Sequence, residues 1–198
     1  MSEQVSTSPE AGDRARPRTA LIVSASVGVV MAALLVLLAV SPDDPDRPTG
    51  SVLIGKVAPP FDAVDTKGRK VDVADYRGRW LLVNFFATWC IPCKVEQPEL
   101  IAWARTHEVA GDASLVSIAF DDGPEAVVAF FDANGGNWPV VPDENASIAQ
   151  DYGVVKLPES YLISPEGIVV KKFEGGVTAP GIDAVMAAAS LAGPGAGS

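Results

Sequence analysis

Residues 81–86 read LLVNFF, a nearly continuous apolar run of the kind a strand buried on both faces requires. SLVSIAF at 114–120 repeats that texture and predicts a second buried strand. Upstream, 61–64 and 70–73 flank TKGR and predict a hairpin, with Gly68 supplying the turn. Between the two apolar runs the period changes, and a helix is expected from Cys90–Cys93 to about Glu108. Pro98 falls inside it, yet Leu100, Ile101, Trp103 and Ala104 continue one apolar face, so the helix is expected to kink rather than stop. Ala126, Val127, Phe130 and Phe131 give 124–134 a helical stripe. A short helix follows at 145–152, closed by Gly153. Residues 160–163 and 168–173 form a strand pair around SPEG, and 182–191 is an alanine-rich last helix. Strands alternating with helices predict an α/β domain whose sheet is covered on both faces.

The N-terminal pattern is of another kind. Residues 19–40 contain no charge at all. As a helix that stretch would reach about 33 Å, enough for a hydrocarbon core of about 30 Å. Arg14, Arg16 and Arg18 precede it, while Asp43, Asp44 and Asp46 follow. The positive-inside bias therefore predicts an uncleaved single-pass anchor with the rest of the chain outside the cytoplasm. A signal peptide cleaved near 39–41 is the alternative, against which the length of the run counts. No cysteine follows the run for a lipid anchor, and no Arg-Arg pair suggests twin-arginine export. The expected organisation is a disordered tail at 1–18, the anchor at 19–40, a proline-rich linker at 41–55, one domain at 56–192 and a frayed tail at 193–198.

The formal charge of −10 belongs entirely to the part beyond residue 42, since 1–42 carries three acids and three bases. Nucleic acid is thereby disfavoured as a partner, because phosphate binding needs a basic face.

The chain has two cysteines, Cys90 and Cys93, separated by Ile91 and Pro92. Structural zinc wants four ligands, and the only other soft candidate is the single histidine, His107, itself expected on a solvated helix end. A c-type haem tether needs CxxCH, but Lys94 follows Cys93. A purely structural bridge over so short a loop would restrict the unfolded chain very little. A couple that alternates between dithiol and disulfide is the reading that survives. The end of LLVNFF would place Cys90 near the N-cap of the next helix, where free N–H groups and the helix dipole favour a thiolate. Lowering a thiol from about 8.5 to about 7 raises its thiolate share at neutral pH from a few per cent to roughly half. Pro92 suits the first turn, and Cys93 lies deeper, as a resolving thiol should.

FFATWCIPCKVEQPEL resembles the active-site helix of thioredoxin-like proteins, including a proline five residues after the second cysteine. YGVVKLPESYLISPEGIVVKKFEGG is similar to the family's second signature, a loop with a cis-proline facing the disulfide and then a strand hairpin. GKVAPPFDAVDTKGRKVDVADYRGRWLLVNFFATWC resembles the start of the extracytoplasmic branch that includes ResA, TlpA and CcmG (DsbE). The resemblance covers most of 55–178. It implies a thioredoxin-like fold with a mixed central sheet, an N-terminal hairpin extension and an insertion after the active-site helix. It also implies roles for particular residues. Pro158 would be the cis-proline, Leu157 and Trp89 would touch a bound polypeptide, and Pro158 and Glu159, which matches the Pro-Glu pair of the CcmG-like subset, would join them in the substrate-binding site. Thioredoxins often carry a buried acid where this chain has Asn84; the branch instead has a glutamate three residues after the second cysteine, here Glu96. On a helix that spacing puts Glu96 on the side of Cys93, where it could exchange the resolving thiol's proton. A second acid can occur after the next strand, with Asp121 or Asp122 nearest.

The expected function is a membrane-anchored extracytoplasmic thiol–disulfide oxidoreductase needing no metal or organic cofactor. Its partners would be proteins with disulfides or CxxC thiols, apocytochrome c among them if the direction is reductive, and a membrane thiol-electron carrier. An oxidant for exported proteins and a non-catalytic module that docks apoprotein are the rivals. A peroxidase of peroxiredoxin type is disfavoured, because Ala87 stands where that mechanism has threonine or serine.

Overall fold

The computed structural model describes residues 27–33 and 52–192. The chain divides into two compact units, Met1–Pro48 and Thr49–Ser198. In the first, residues 27–33 are helical, and among the described residues no helix is long and apolar enough to cross a membrane. The remainder of the anchor expected at 19–40, the tails at 1–18 and 193–198, and residues 41–51 of the linker lie outside the described residues.

The second unit is an α/β domain. Strand β1 (Asp62–Val64) and strand β2 (Lys70–Asp72) form the expected antiparallel hairpin. A 3-10 turn (Val73–Tyr76) leads to β3 (Trp80–Phe86), helix α1 (Ile91–Ala110) and β4 (Ala113–Phe120). Helix α2 (Pro124–Asn134), β5 (Val140–Asp143) and helix α3 (Ser147–Tyr152) follow. The chain then runs through β6 (Glu159–Ile163), β7 (Val169–Glu174) and helix α4 (Ala179–Ala192). The sheet order is β5-β4-β3-β6-β7, with β3, β4 and β5 parallel and β6 and β7 antiparallel to their neighbours. Within the stretch read as linker, the Gly55 N–H already donates to the Val169 carbonyl at 2.8 Å.

Two apolar layers hold the sheet between them. Leu82 and Phe86 pack with Leu100 and Trp103 of α1, Phe130 of α2 and Ile182 of α4. Leu81, Val83 and Phe85 face the other way, onto Tyr152 of α3, Tyr161 and the hairpin residues Phe61 and Val71. Because β3 alternates faces with a period of two and is covered on both, its run reads as apolar throughout.

Three features depart from the sequence pattern. Strand β5 (VVPD) was not marked by it; Pro142 breaks the run, and the sheet tolerates it because β5 is an edge strand. Helix α4 begins at Ala179 rather than 182, with Pro180 in its first turn and the Ala179 N–H donating to Glu99 Oε2 at 2.9 Å. His107 is not on a solvated helix end. It is buried between α1 and α4, with Nδ1 2.7 Å from Asp112 Oδ1 and Nε2 3.0 Å from Asp183 Oδ1. Burial favours the neutral ring, but the two carboxylates outweigh it and raise the His107 pKa.

Candidate active site

Helix α1 carries the chemistry at its first turn. Cys90 is the N-cap, with extended backbone (φ −78°, ψ 109°), and its Sγ accepts from the Cys93 N–H at 3.3 Å. Pro92 sits in the first turn, where no intrahelical N–H bond is lost. The helix runs on through Pro98 and ends at Gly111, whose left-handed φ of 71° caps it. Cys90 and Cys93 form a disulfide with an S–S distance of 2.04 Å.

Cys90 opens onto a groove of about 420 Å³ shared with Trp89, Ile91, Val155, Lys156 and Leu157. Trp89, Ile91 and Val155 are 61%, 74% and 81% exposed, so a largely apolar surface flanks Cys90, itself only 5% exposed. The Leu157–Pro158 bond is cis, and Leu157 lines the groove. Cys93 does not line the groove and is buried in the layer that also holds Ala87 and Leu100.

Glu96 lies one turn beyond Cys93 and is only 3% exposed. Its Oε1 accepts from Asn84 Nδ2 at 2.9 Å, and its Oε2 accepts from the Val177 N–H at 3.1 Å. Burial pushes its pKa from 4.5 up to about 7, and the two hydrogen bonds restrain the rise. A carboxyl poised near neutrality one helical turn from a buried thiol can take a proton and return it.

The two aspartates after β4 separate. Asp121 is exposed and adopts a left-handed backbone (φ 50°). Asp122 is buried, and its carboxylate accepts from the Thr88 N–H at 2.6 Å and from Thr88 Oγ1 at 2.9 Å. It thus ties the 87–89 turn, which presents Trp89 and Cys90, to the end of β4. Asp122→Ala leaves the Thr88 amide without its partner and is expected to cost about 1–3 kcal/mol. Asp122→Asn, which can still accept from that amide, is expected to retain most of the stability. Thermal unfolding of the two variants checks this.

The AhpC/TSA family model matches residues 54–172. The thiol-disulfide oxidoreductase ResA of Bacillus subtilis (strain 168) is 36% identical over 128 residues, 65% of this chain and 71% of its own length. The chain belongs to the AhpC/TSA family and is a thiol–disulfide oxidoreductase. ResA of Geobacillus thermodenitrificans (strain NG80-2) is 31% identical over 128 residues, covering 65% of this chain and 73% of that one. Among solved structures, a thiol:disulfide interchange protein of the thioredoxin family from Chlorobium tepidum TLS superposes with a TM-score of 0.61 at 25% identity. That match covers 67% of this chain and 94% of the other. The fold of this oxidoreductase is therefore thioredoxin-like.

One sequence expectation needs correction. Glu159 does not line the substrate groove: its side chain is fully buried in β6, between β3 and β7. Its Oε2 is 2.9 Å from Lys172 Nζ, and its Oε1 has no hydrogen-bond partner among the described residues. Sequence position put it next to the cis-proline, but strand alternation turns it away from the disulfide, onto the face of Phe85 and Tyr161. Conversely, Val177 and Ser160 were missed. Ser160 Oγ accepts from Asn84 Nδ2 at 3.1 Å, and the Val177 N–H completes the Glu96 site. A backbone donor 81 residues away leaves no trace in a sequence pattern.

Proposed function

We propose that this oxidoreductase is a membrane-anchored, extracytoplasmic protein-disulfide reductase. The observation that carries the reading is a CxxC disulfide at a helix N-terminus, with Cys90 lining the apolar groove and the buried Glu96 poised near neutrality one turn from Cys93. The reduced Cys90 thiolate, held at the helix N-terminus, attacks one sulfur of a substrate disulfide in the apolar groove. The first substrate sulfur leaves as a thiolate and a mixed disulfide forms. Cys93 passes its proton to Glu96 and attacks Cys90 Sγ. The substrate departs with two thiols, two electrons richer, and the Cys90–Cys93 disulfide is restored. A membrane dithiol carrier on the same side of the bilayer returns the couple to its reduced state.

The uncharged stretch at 19–40, flanked by arginines before and aspartates after, supports the anchor and the orientation. The thiol-disulfide oxidoreductase relatives support disulfide exchange, and the apolar groove suits a disulfide-bearing polypeptide as substrate, with apocytochrome c the proposed case. Its CxxCH cysteines must be free thiols before haem attachment.

The reduction potential against glutathione tests the direction. A value below about −250 mV is expected of a reductant, whereas one near −120 mV would overturn the reductive reading in favour of a disulfide-forming oxidant.

A further inference from the structure

Three polar side chains stand abreast in the middle of an apolar sheet. The strand register pairs Asn84 of β3 with Ser117 of β4 on one side and with Ser160 of β6 on the other. All three are at most 1% exposed, and they face α1 within the layer built from Leu82, Leu115 and Leu162. Placing them there is costly unless each is satisfied, and each is.

Their bonds have a direction that starts at Trp138. An indole N–H can only donate, and Trp138 Nε1 is 2.8 Å from Ser117 Oγ. With that oxygen accepting, the Ser117 hydroxyl hydrogen is left for Asn84 Oδ1, 3.3 Å away. The Asn84 amide is thereby turned so that Nδ2 faces Ser160 Oγ and Glu96 Oε1. Reversed, Asn84 would set its carbonyl against the Glu96 carboxylate and its NH2 against a hydroxyl already aimed at it.

We infer that Ser117 and Trp138 are positioning residues of the redox site, orienting the Asn84 amide so that it donates to Glu96 and sets how tightly that carboxyl holds its proton. The inference rests on the resolving role proposed above for Glu96. The other groups facing Glu96 do not titrate in this state. Strand β3 presents the Asn84 amide, β6 contributes Ser160 through Asn84, the 176–177 segment offers a glycine and a backbone N–H, and Cys93 on its own helix is disulfide-bonded. No charged side chain contributes to the raised affinity of Glu96, so the donor from Asn84 is one of only two restraints on it.

Removing the Ser117 hydroxyl frees the Asn84 amide to rotate and offer its carbonyl to protonated Glu96. That exchanges a bond favouring the carboxylate for one favouring the acid, and the midpoint rises. In the full-length oxidised protein, 13C NMR of the Glu96 carboxyl is expected to show the Ser117→Ala midpoint about one pH unit above wild type. Trp138→Phe is expected to move it the same way by less, because Ser117 keeps its hydroxyl but loses the donor that aims it. The rate of dithiol formation against pH should follow both shifts. A Ser117→Ala midpoint coinciding with wild type in a folded protein would overturn the inference, and so would a shift to lower pH. Glu96→Gln keeps the two failures apart. If it leaves the pH–rate profile unchanged, the resolving role of Glu96 falls, and the carboxyl titration still decides the relay.

Discussion

Cys90→Ser is expected to abolish disulfide exchange down to the uncatalysed background, whereas Cys93→Ser is expected to leave the protein covalently joined to its substrate. The difference follows from where the two sulfurs lie. Cys90 opens onto the groove with Trp89, Ile91 and Leu157, and it occupies the N-cap, where the first-turn N–H groups and the dipole favour its thiolate. Cys93 does not line the groove, so an incoming disulfide docked there meets Cys90 first, and the target within reach of Cys93 is the sulfur three residues before it. Without Cys93 the mixed disulfide has no resolving thiol inside the protein and persists until an external one arrives. Reduction of a protein disulfide and non-reducing electrophoresis with mass spectrometry of the adduct check both variants. Brief alkylation of the reduced protein near neutral pH should label Cys90 well before Cys93. If the double serine variant supported full activity in vivo, the chain would be acting as a docking module rather than through thiol exchange.

Glu96 carries the second large effect, on stability. In the unfolded chain its carboxyl titrates near 4.5, while burial raises it to about 7 in the folded state. The folded protein thus binds the proton more tightly, and the stability linked to it is complete below about pH 4.5 and lost as pH rises through about 7. At about 1.4 kcal/mol per pH unit, the difference amounts to about 3 kcal/mol. Chemical denaturation of the oxidised protein at pH 4.5 and pH 8 should show this loss, superposed on contributions from other groups. The Glu96→Gln variant should lack it, so the wild-type minus variant difference should fall by about 3 kcal/mol between the two pH values. A difference that stays flat would mean that Glu96 titrates as an ordinary surface acid. The cost at high pH is a reason to regard the buried carboxyl as a working group, because an apolar side chain would fill the same space without it.

Much of the fold could be read in advance because apolar periodicity survives burial. LLVNFF and SLVSIAF became β3 and β4, TKGR became the hairpin turn, and the stripe through Phe130 became α2. Edge strand β5 escaped because it is short and holds Pro142, which destroys the very pattern that marks a strand. The polar residues inside the apolar runs, Asn84 and Ser117, were visible as interruptions, but nothing local tells whether such a residue is an isolated exception or part of a row. Strand register answers that, by bringing residues 33 and 76 positions from Asn84 to its two sides.

His107 and Glu159 show the same limit from the other side. A lone histidine near a helix end reads as solvated, since that is usual for charged groups, and a glutamate next to the cis-proline reads as part of the substrate site. The packing of α4 buried the first between two aspartates, and strand alternation turned the second into the sheet beside Lys172.

The sequence by itself determined the chemistry: two thiols at CxxC spacing, at the junction of a buried strand and a helix, without the ligands that zinc or haem would need. These are local facts, set by residue type and spacing along a few turns of chain. The tertiary structure alone decided that Glu96 is buried and why it holds its proton near neutrality. Those properties depend on desolvation and on donors from β3 and the segment before α4, which only folding brings to the same point.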